Sequence, residues 1–199
     1  MKTTPSLLAL VAATALTAGC ATPAYVSPTE VTRFTGATPA ELGQGTIRIE
    51  PATGQDGNSL EYGVYAGELA EELRALGYTI VSNGQARQSA VLDIEQYVME
   101  GGRRSPISVG GGAGTGSYGS GVGLGVGINL SPGQADRVDT EVAVFIRPAA
   151  GGPNLWEGRA RFSATVNSDA ADPAVGADKA MEALFTGFPG RNGETIEVR

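Results

Sequence analysis

The sequence lacks histidine entirely and has a single cysteine among its 199 residues. Without histidine the chain cannot build a Ser–His or Cys–His nucleophile pair, and it loses the commonest zinc ligand and general base. With one cysteine, no disulfide forms within one copy, so the fold must depend on its apolar core. Basic residues are also few, 14 Lys and Arg against 21 Asp and Glu, and this acidic balance disfavours nucleic acid as a partner.

A long hydrophobic run is missing as well. The apolar stretch at residues 7–16 rises roughly 15 Å as a helix, about half of a 30 Å hydrocarbon core, so it is too short for a permanent span. Lys2 precedes this stretch and small residues follow it up to Cys20, which is the pattern of a secretory signal peptide. The sequence therefore predicts a lipoprotein signal peptide over residues 1–19 and lipid attachment at Cys20. An ordinary signal peptide with an incidental free cysteine is the alternative.

The residues around Cys20 also predict a location. Thr17 stands where lipoproteins usually carry an aliphatic residue, and Leu16 lies one position earlier, so the match to the pattern is good but imperfect. Ala21, in place of an aspartate, is typical of the outer-membrane class. We expect residues 20–30 to form a lipidated tether that holds the protein on the periplasmic side of the outer membrane, because two or more acyl chains anchor stably.

The rest of the chain, residues 31–199, predicts one α+β domain of two layers, with a mixed or antiparallel sheet and two helices on one face. Strands are expected near 31–34, 46–50, 78–81, 90–98, 138–147, 156–166 and 195–198, and those at 46–50, 90–98, 138–147 and 156–166 alternate apolar and polar residues. Asn58 or Ser59 is expected to cap a first helix whose apolar stripe includes Leu60. Asp172 and Pro173 begin a second helix, with Val175 on its buried stripe.

A glycine-rich insertion at residues 101–133 is the strongest compositional oddity. In its second half glycines alternate with apolar residues that share one face of an extended strand: Val122, Leu124, Val126, Ile128 and Leu130. Three interpretations compete: a hairpin or arm that folds back on its own domain, an arm for self-association or partner docking, and contact with the bilayer. Gly114, Gly116 and Gly119 match a dinucleotide-binding string, but alternating glycines cannot open a stable helix, so no nucleotide cofactor is expected.

Charged residues supply the remaining candidates. Arg103 and Arg104 are candidate contacts for lipid head groups or an acidic partner, against the alternative of a solvated loop. Carboxylates on the polar faces of two strands have chemistry suited to acid/base catalysis, sugar hydrolysis or calcium binding, namely Asp93, Glu95, Asp139 and Glu141. Solvated sheet-face charges, opposed by Arg159 and Arg161, are the more common arrangement. We therefore predict no catalytic residue, no metal site and no cofactor.

Several segments form a combination that covers nearly all of the mature chain. They are residues 25–34, 59–78 and 155–160, the run Arg103-Arg104-Ser105-Pro106, the glycine run through Leu130, and Phe188-Pro189-Gly190. This combination resembles a family of bacterial lipoproteins catalogued as domain of unknown function 4136. The resemblance implies a periplasm-facing lipoprotein of one α+β domain with no established activity. Thr35 stands where that family often has histidine, and Ala86-Arg87 where it has Ala-Asp, so no functional residue is carried over.

The sequence thus favours an envelope lipoprotein without catalytic activity, acting as a scaffold or accessory subunit that docks through a sheet edge or the glycine-rich arm. Its expected partners are the membrane, through the lipid anchor, and an envelope protein or a second copy. The alternative function is binding or hydrolysis of a small ligand or an envelope polymer by the sheet-face carboxylates.

Overall fold

The computed structural model describes residues 23–82, 85–102, 107–116, 119–128 and 135–199. These belong to two compact units, of which the larger comprises Ala24–Met99 and Asp136–Arg199. The predicted sites Cys20, Arg103, Arg104 and Leu130 lie outside the described residues.

The larger unit is built on one seven-stranded sheet. Its strands are β1 (Thr29–Thr35), β2 (Thr46–Pro51), β3 (Thr79–Ile80), β4 (Gln88–Met99), β7 (Arg137–Pro148), β8 (Trp156–Thr165) and β9 (Glu194–Val198), while β5 (Ile107–Gly116) and β6 (Gly119–Ile128) pair only with each other. The strand order is β3-β2-β4-β7-β8-β1-β9. β2 runs parallel to β3 and β4, and every other neighbouring pair is antiparallel. With two helices, α1 (Leu60–Ala75) and α2 (Pro173–Phe185), this mixed sheet confirms the predicted α+β class.

The smaller unit contains the β5–β6 hairpin of the glycine-rich insertion. Its antiparallel register runs from Ile107 opposite Ile128 to Gly116 opposite Gly119. The candidate contact residues Val122, Leu124, Val126 and Ile128 are all part of β6.

Both helices begin where the sequence predicts. The Ser59 hydroxyl accepts a hydrogen bond from the Tyr62 amide at 3.0 Å, and Asp172 accepts one from the Ala174 amide at 2.9 Å, so each cap satisfies an otherwise unpaired N–H group. Two burial predictions are wrong at these ends: Leu60 and Val175 are exposed, because both lie in the first helical turn, short of the core. Val166, the last residue of the strand predicted at 156–166, lies just past the end of β8 and is exposed as well.

The core lies between the helices and one face of the sheet. Trp156 is fully buried there: its ring stacks on Phe185 at a centroid distance of 5.4 Å, and its indole N–H donates to the Pro189 carbonyl at 2.9 Å. Gly158 lies under the same ring, since a Cβ at that position would be 2.7 Å from Trp156 Cζ2 and 2.8 Å from Leu184 Cδ1. The glycine in mid-strand therefore makes room for the tryptophan.

A buried arginine caps the C-terminal end of α2. Arg33, on β1, is only 1% exposed, and its Nη2 donates to the Thr186 carbonyl at 2.6 Å and to the Ala183 carbonyl at 3.4 Å. Burial lowers the pKa of this guanidinium, while Glu194, paired with Nη1 at 3.4 Å, acts in the opposite direction. A cation at the last carbonyls of a helix complements the helix dipole, so Arg33 is a structural cap.

Candidate functional site

The two helices pack on the same face of the sheet, and the described residues place no helix on the other, which we call the open face. Because side chains alternate between the two faces along each strand, the strand register identifies which residues lie on the open face. On β8, for example, Trp156, Ala160 and Phe162 point into the core, whereas Arg159 and Arg161 are exposed. The predicted carboxylates and both opposing arginines all fall on the open face: Asp93, Glu95, Asp139, Glu141, Arg159 and Arg161.

One line of charges crosses five strands of this face. Directly opposite neighbours on β4, β7, β8, β1 and β9 form the acidic row, which consists of Glu95, Glu141, Arg161, Glu30 and Glu197. Four carboxylates and one guanidinium give the row a formal charge of -3. Two pairs of neighbours in it are carboxylate against carboxylate, an arrangement that destabilises a sheet. The acidic row is therefore poorly explained as a device for stability.

Arg161 is the only cation in the acidic row. Its Nε donates to Glu141 Oε2 at 2.8 Å, and this hydrogen bond, together with the charge of Glu141, raises the pKa of the guanidinium. More distant charges on Glu30 and Glu95 act in the same direction. Arg161 is itself largely exposed, with 61% of its side chain accessible, so water screens the pair and its contribution to stability is small.

Hydroxyl groups surround the acidic row. The Tyr97 hydroxyl donates to Glu95 Oε2 at 2.8 Å, and this bond, with the carboxylate charge, raises the pKa of the phenol. In the next pair of residues on the same face, two residues along each strand from Glu141 and Arg161, the Ser163 hydroxyl donates to Asp139 Oδ1 at 2.5 Å. These contacts fix the direction of two carboxylates while leaving Tyr97 more than half exposed.

The acidic row runs along a cavity of about 470 Å³ in the open face. Carboxylates, hydroxyls and the one arginine line most of it, namely Ser27, Glu30, Tyr97, Asp139, Thr140, Glu141, Arg161, Ser163 and Glu197, and Pro28 and Phe162 complete the wall. A second cavity of about 160 Å³ lies beside it, with Asp93, Glu95, Glu141 and Arg159 in its wall. The structure thus divides the four predicted carboxylates between two adjoining depressions, with Glu141 common to both. Such a surface is chemically suited to a cationic or hydrogen-bonding ligand.

Sequence reasoning missed Glu30 and Glu197. Glu30 lies between Thr29 and Val31 on β1, and Glu197 lies between Ile196 and Val198 on β9; both residues are exposed between less exposed neighbours, which marks the polar side of a strand. Neither pattern shows which strands pair, and only the pairing of β1 with both β8 and β9 brings these two carboxylates beside Arg161.

Two further features concern metal binding and membrane insertion. Within the described ranges, no group of three or more Asp, Glu or Cys side chains is arranged to hold a metal ion. None of the helices in that part of the chain is long and apolar enough to cross a membrane.

Comparison with solved structures gives only distant likenesses. A PDZ domain protein from Parabacteroides distasonis is 12% identical with a TM-score of 0.48, and the match covers 94% of this chain but 42% of that protein. A PelC dodecamer from Paraburkholderia phytofirmans is 11% identical with a TM-score of 0.42, covering 85% of this chain and 100% of the PelC chain. At these scores neither likeness carries an argument about this protein.

Sequence comparison gives a clearer result. No protein-family model matches the chain. A protein of Zymomonas mobilis subsp. mobilis, described as uncharacterized protein ZMO1243, is 31% identical over an alignment 215 positions long, which covers 86% of this chain and 80% of the relative. The chain therefore belongs to the same protein family as uncharacterized protein ZMO1243 of Zymomonas mobilis.

Proposed function

We propose that this protein is a non-catalytic lipoprotein of the cell envelope, anchored through Cys20 to the periplasmic side of the outer membrane, and that it acts as a scaffold or accessory subunit. The observation that carries the docking role is the open face with its acidic row. Like-charged carboxylates opposite one another cost stability, so their presence is better explained by a bound partner than by the fold. Membership of the lipoprotein family catalogued as domain of unknown function 4136 remains part of this proposal.

The chemistry of the open face specifies the partner. A row of formal charge -3, flanked by an exposed tyrosine, is complementary to a surface that presents lysine or arginine side chains. The sheet edges suit docking less well, because β3 has two residues and β9 carries Glu194 and Glu197 in five. Short edges and charges of this kind block strand addition. The expected partner is therefore an envelope protein with a basic patch.

The anchor is tested by metabolic labelling with a fatty acid. Wild-type protein should incorporate label and fractionate with the outer membrane, whereas Cys20→Ala should do neither. Equal labelling of the two proteins would overturn the lipoprotein assignment.

The docking surface is tested by photocrosslinking in cells. A photoreactive residue replaces Thr195, which is exposed on the open face beside Thr32, and a control replaces Glu71, exposed on the outer surface of α1. We expect a discrete adduct from position 195 that disappears in the Glu30→Arg/Glu197→Arg variant and survives in Glu61→Arg, a charge reversal on α1. An adduct indifferent to the reversal in the acidic row would contradict the proposal.

The cavity of about 470 Å³ supports a second candidate, binding or hydrolysis of a small ligand or an envelope polymer. Here Asp139 and Glu141 would supply the carboxylates and Arg161 the anion-binding group. Incubation of purified protein with isolated envelope polymer tests it. Soluble fragments that the Asp139→Asn/Glu141→Gln variant fails to release would support hydrolysis over docking.

A further inference from the structure

Exposed apolar side chains gather at one end of the sheet. Nine large apolar side chains are exposed in the described part of the chain. Six of them form a group that we call the tether end: Tyr25, Val26, Tyr97, Val98, Met99 and Val166. Their exposed fractions run from 37% for Val26 to 68% for Val98. Clustered exposure of this kind, unlike single scattered apolar residues, marks an interaction surface.

Strand register places these residues in the last rows at one end of the sheet, where the exposed Arg137 lies between Met99 and Thr165. In the last row of the sheet Met99 lies opposite Arg137, Arg137 lies opposite Thr165, and the Thr165 amide donates to the Tyr25 carbonyl at 2.9 Å. In the row before it, Val98 lies opposite Val138, Val138 opposite Ala164, and Ala164 forms a bridge with Val26.

Val166 completes the group, because its amide donates to the Asp136 carbonyl at 3.0 Å, just before β7 begins. The tether end is therefore one continuous edge of the larger unit.

We propose that the tether end rests on the lipid surface of the membrane that holds the anchor. This inference rests on the proposed acylation of Cys20. Five residue steps separate Cys20 from Tyr25, and at up to about 3.6 Å per residue they span at most roughly 18 Å. Tyr25 is itself fixed to the sheet, since its amide donates to Thr165 Oγ1 at 2.9 Å. Acylation would therefore hold this end, and not the opposite one, close to the head groups.

The side chains suit that location. Tyrosine is enriched at membrane interfaces because its ring is apolar and its hydroxyl stays hydrated, and two tyrosines belong to the tether end. Val98 and Met99 add aliphatic surface beside them. The chain is acidic overall, with a formal net charge of -7, so apolar contact and not charge attraction is the driving force. Contact should accordingly occur on uncharged lipid and change little with salt.

In this orientation the acidic row stays clear of the lipid surface, because on β4 it crosses the sheet at Glu95, two residues before Tyr97 and four before Met99. Tyr97, whose hydroxyl donates to Glu95, lies at the boundary between the acidic row and the tether end. A partner with a basic patch would approach from the side.

The test uses the processed full chain with a fluorescent label on one introduced cysteine. Val98→Cys carries the label at the tether end, and Phe34→Cys is the matched control, since Phe34 is 47% exposed but lies where β1 pairs with the beginning of β8. Each protein is reconstituted in phosphatidylcholine vesicles that contain a nitroxide head-group quencher. Mass spectrometry of the same samples measures acylation of Cys20.

We expect acylated protein to lose fluorescence at position 98 and to keep it at position 34, at low and at high salt. A further Met99→Asp/Val166→Asp change should weaken the quenching at position 98. Acylated protein quenched equally at both positions, or at neither, would overturn the inference and leave the anchor intact. Protein without an acyl group would overturn the proposed function and this inference together.

Discussion

The two faces of strand β8 differ in how deeply their side chains are buried and in the contacts that these side chains make. On β8 the covered positions hold Trp156, Gly158, Ala160, Phe162 and Ala164, and each packs into the core with at most 4% of its surface exposed where a side chain is present. The alternate positions hold Glu157, Arg159, Arg161 and Ser163, whose contacts are hydrogen bonds, one ion pair and, for Arg159, a cation–π contact with the Phe145 ring. Removing a large core side chain typically costs about 3–5 kcal/mol, whereas an exposed ion pair contributes about 0–1 kcal/mol. The covered face therefore determines stability, and the open face is free to serve binding.

The largest expected difference between the faces comes from Trp156→Ala against Arg161→Ala. The first substitution removes a buried ring and its hydrogen bond to Pro189, and should lower the free energy of unfolding by about 3–5 kcal/mol. The second removes a mostly exposed ion pair and should cost less than about 1 kcal/mol. Urea denaturation followed by circular dichroism measures both. Similar losses from the two variants would contradict the division between the faces.

A pair of glycine substitutions tests how tightly the covered face is packed. Gly158→Ala places a methyl group against Trp156 and Leu184, and should cost about 1–3 kcal/mol. Gly67→Ala adds a methyl group on the exposed side of α1, where nothing lies within 4 Å, and should stabilise the protein by about 0.5–1 kcal/mol. The sign of the shift in the urea midpoint distinguishes them. Stabilisation by Gly158→Ala would show that the ring does not occupy the space above the strand.

Alkaline pH should weaken the covered face through two tyrosines. Burial raises the pKa of both Tyr62 and Tyr65 to about 12 from the ordinary 10. The unfolded chain then ionises first, so the stability is fully present below pH 10 and is lost as the pH rises from 10 towards 12. Each group contributes roughly 1 kcal/mol of this loss by about pH 11. Urea midpoints at the two ends of that range should fall less in Tyr65→Phe than in wild type, and an identical fall would contradict the assignment.

The smallest expected effect compares the same two tyrosines at neutral pH. Gln96 donates to the Tyr65 hydroxyl at 3.0 Å, so Tyr65→Phe should cost about 1 kcal/mol. The buried Tyr62 hydroxyl has no hydrogen-bond partner among the described residues, so Tyr62→Phe should cost nothing or stabilise slightly. Thermal unfolding of the two variants measures the difference. Equal losses would indicate that Tyr62 is also held by a hydrogen bond.

Local patterns predicted much of the fold. Alternation located the long strands β4, β7 and β8, and the caps at Ser59 and Asp172 located both helices, because these signals lie within a few residues of one another. The strand order is a different matter, since it depends on pairings between distant segments. β1 lies between β8 and β9 in the sheet, although both of these strands come more than 120 positions later in the chain. No local sequence pattern indicates these two pairings.

The candidate site was also predicted only in part, because alternation within a strand can be read from the sequence and pairing between distant strands cannot. Asp93, Glu95, Asp139 and Glu141 were predicted correctly as polar-face residues, because alternation assigns a side chain to a face. Glu30 and Glu197 join them only through the pairing of β1 with β8 and β9. Arg33, on the opposite face of β1, has its role as a helix cap from tertiary packing alone.

The open face, and not the helix-covered side, is the surface that we propose binds a basic partner. It is tested most directly by recording amide NMR spectra of the purified protein during titration with a lysine-rich peptide. We expect chemical-shift changes in the acidic row, at Glu30, Glu95, Glu141, Arg161 and Glu197, and we expect high salt or the Glu30→Gln/Glu197→Gln variant to abolish the peptide-induced changes. Shift changes confined to α1 and α2, or the same changes in that variant, would contradict it.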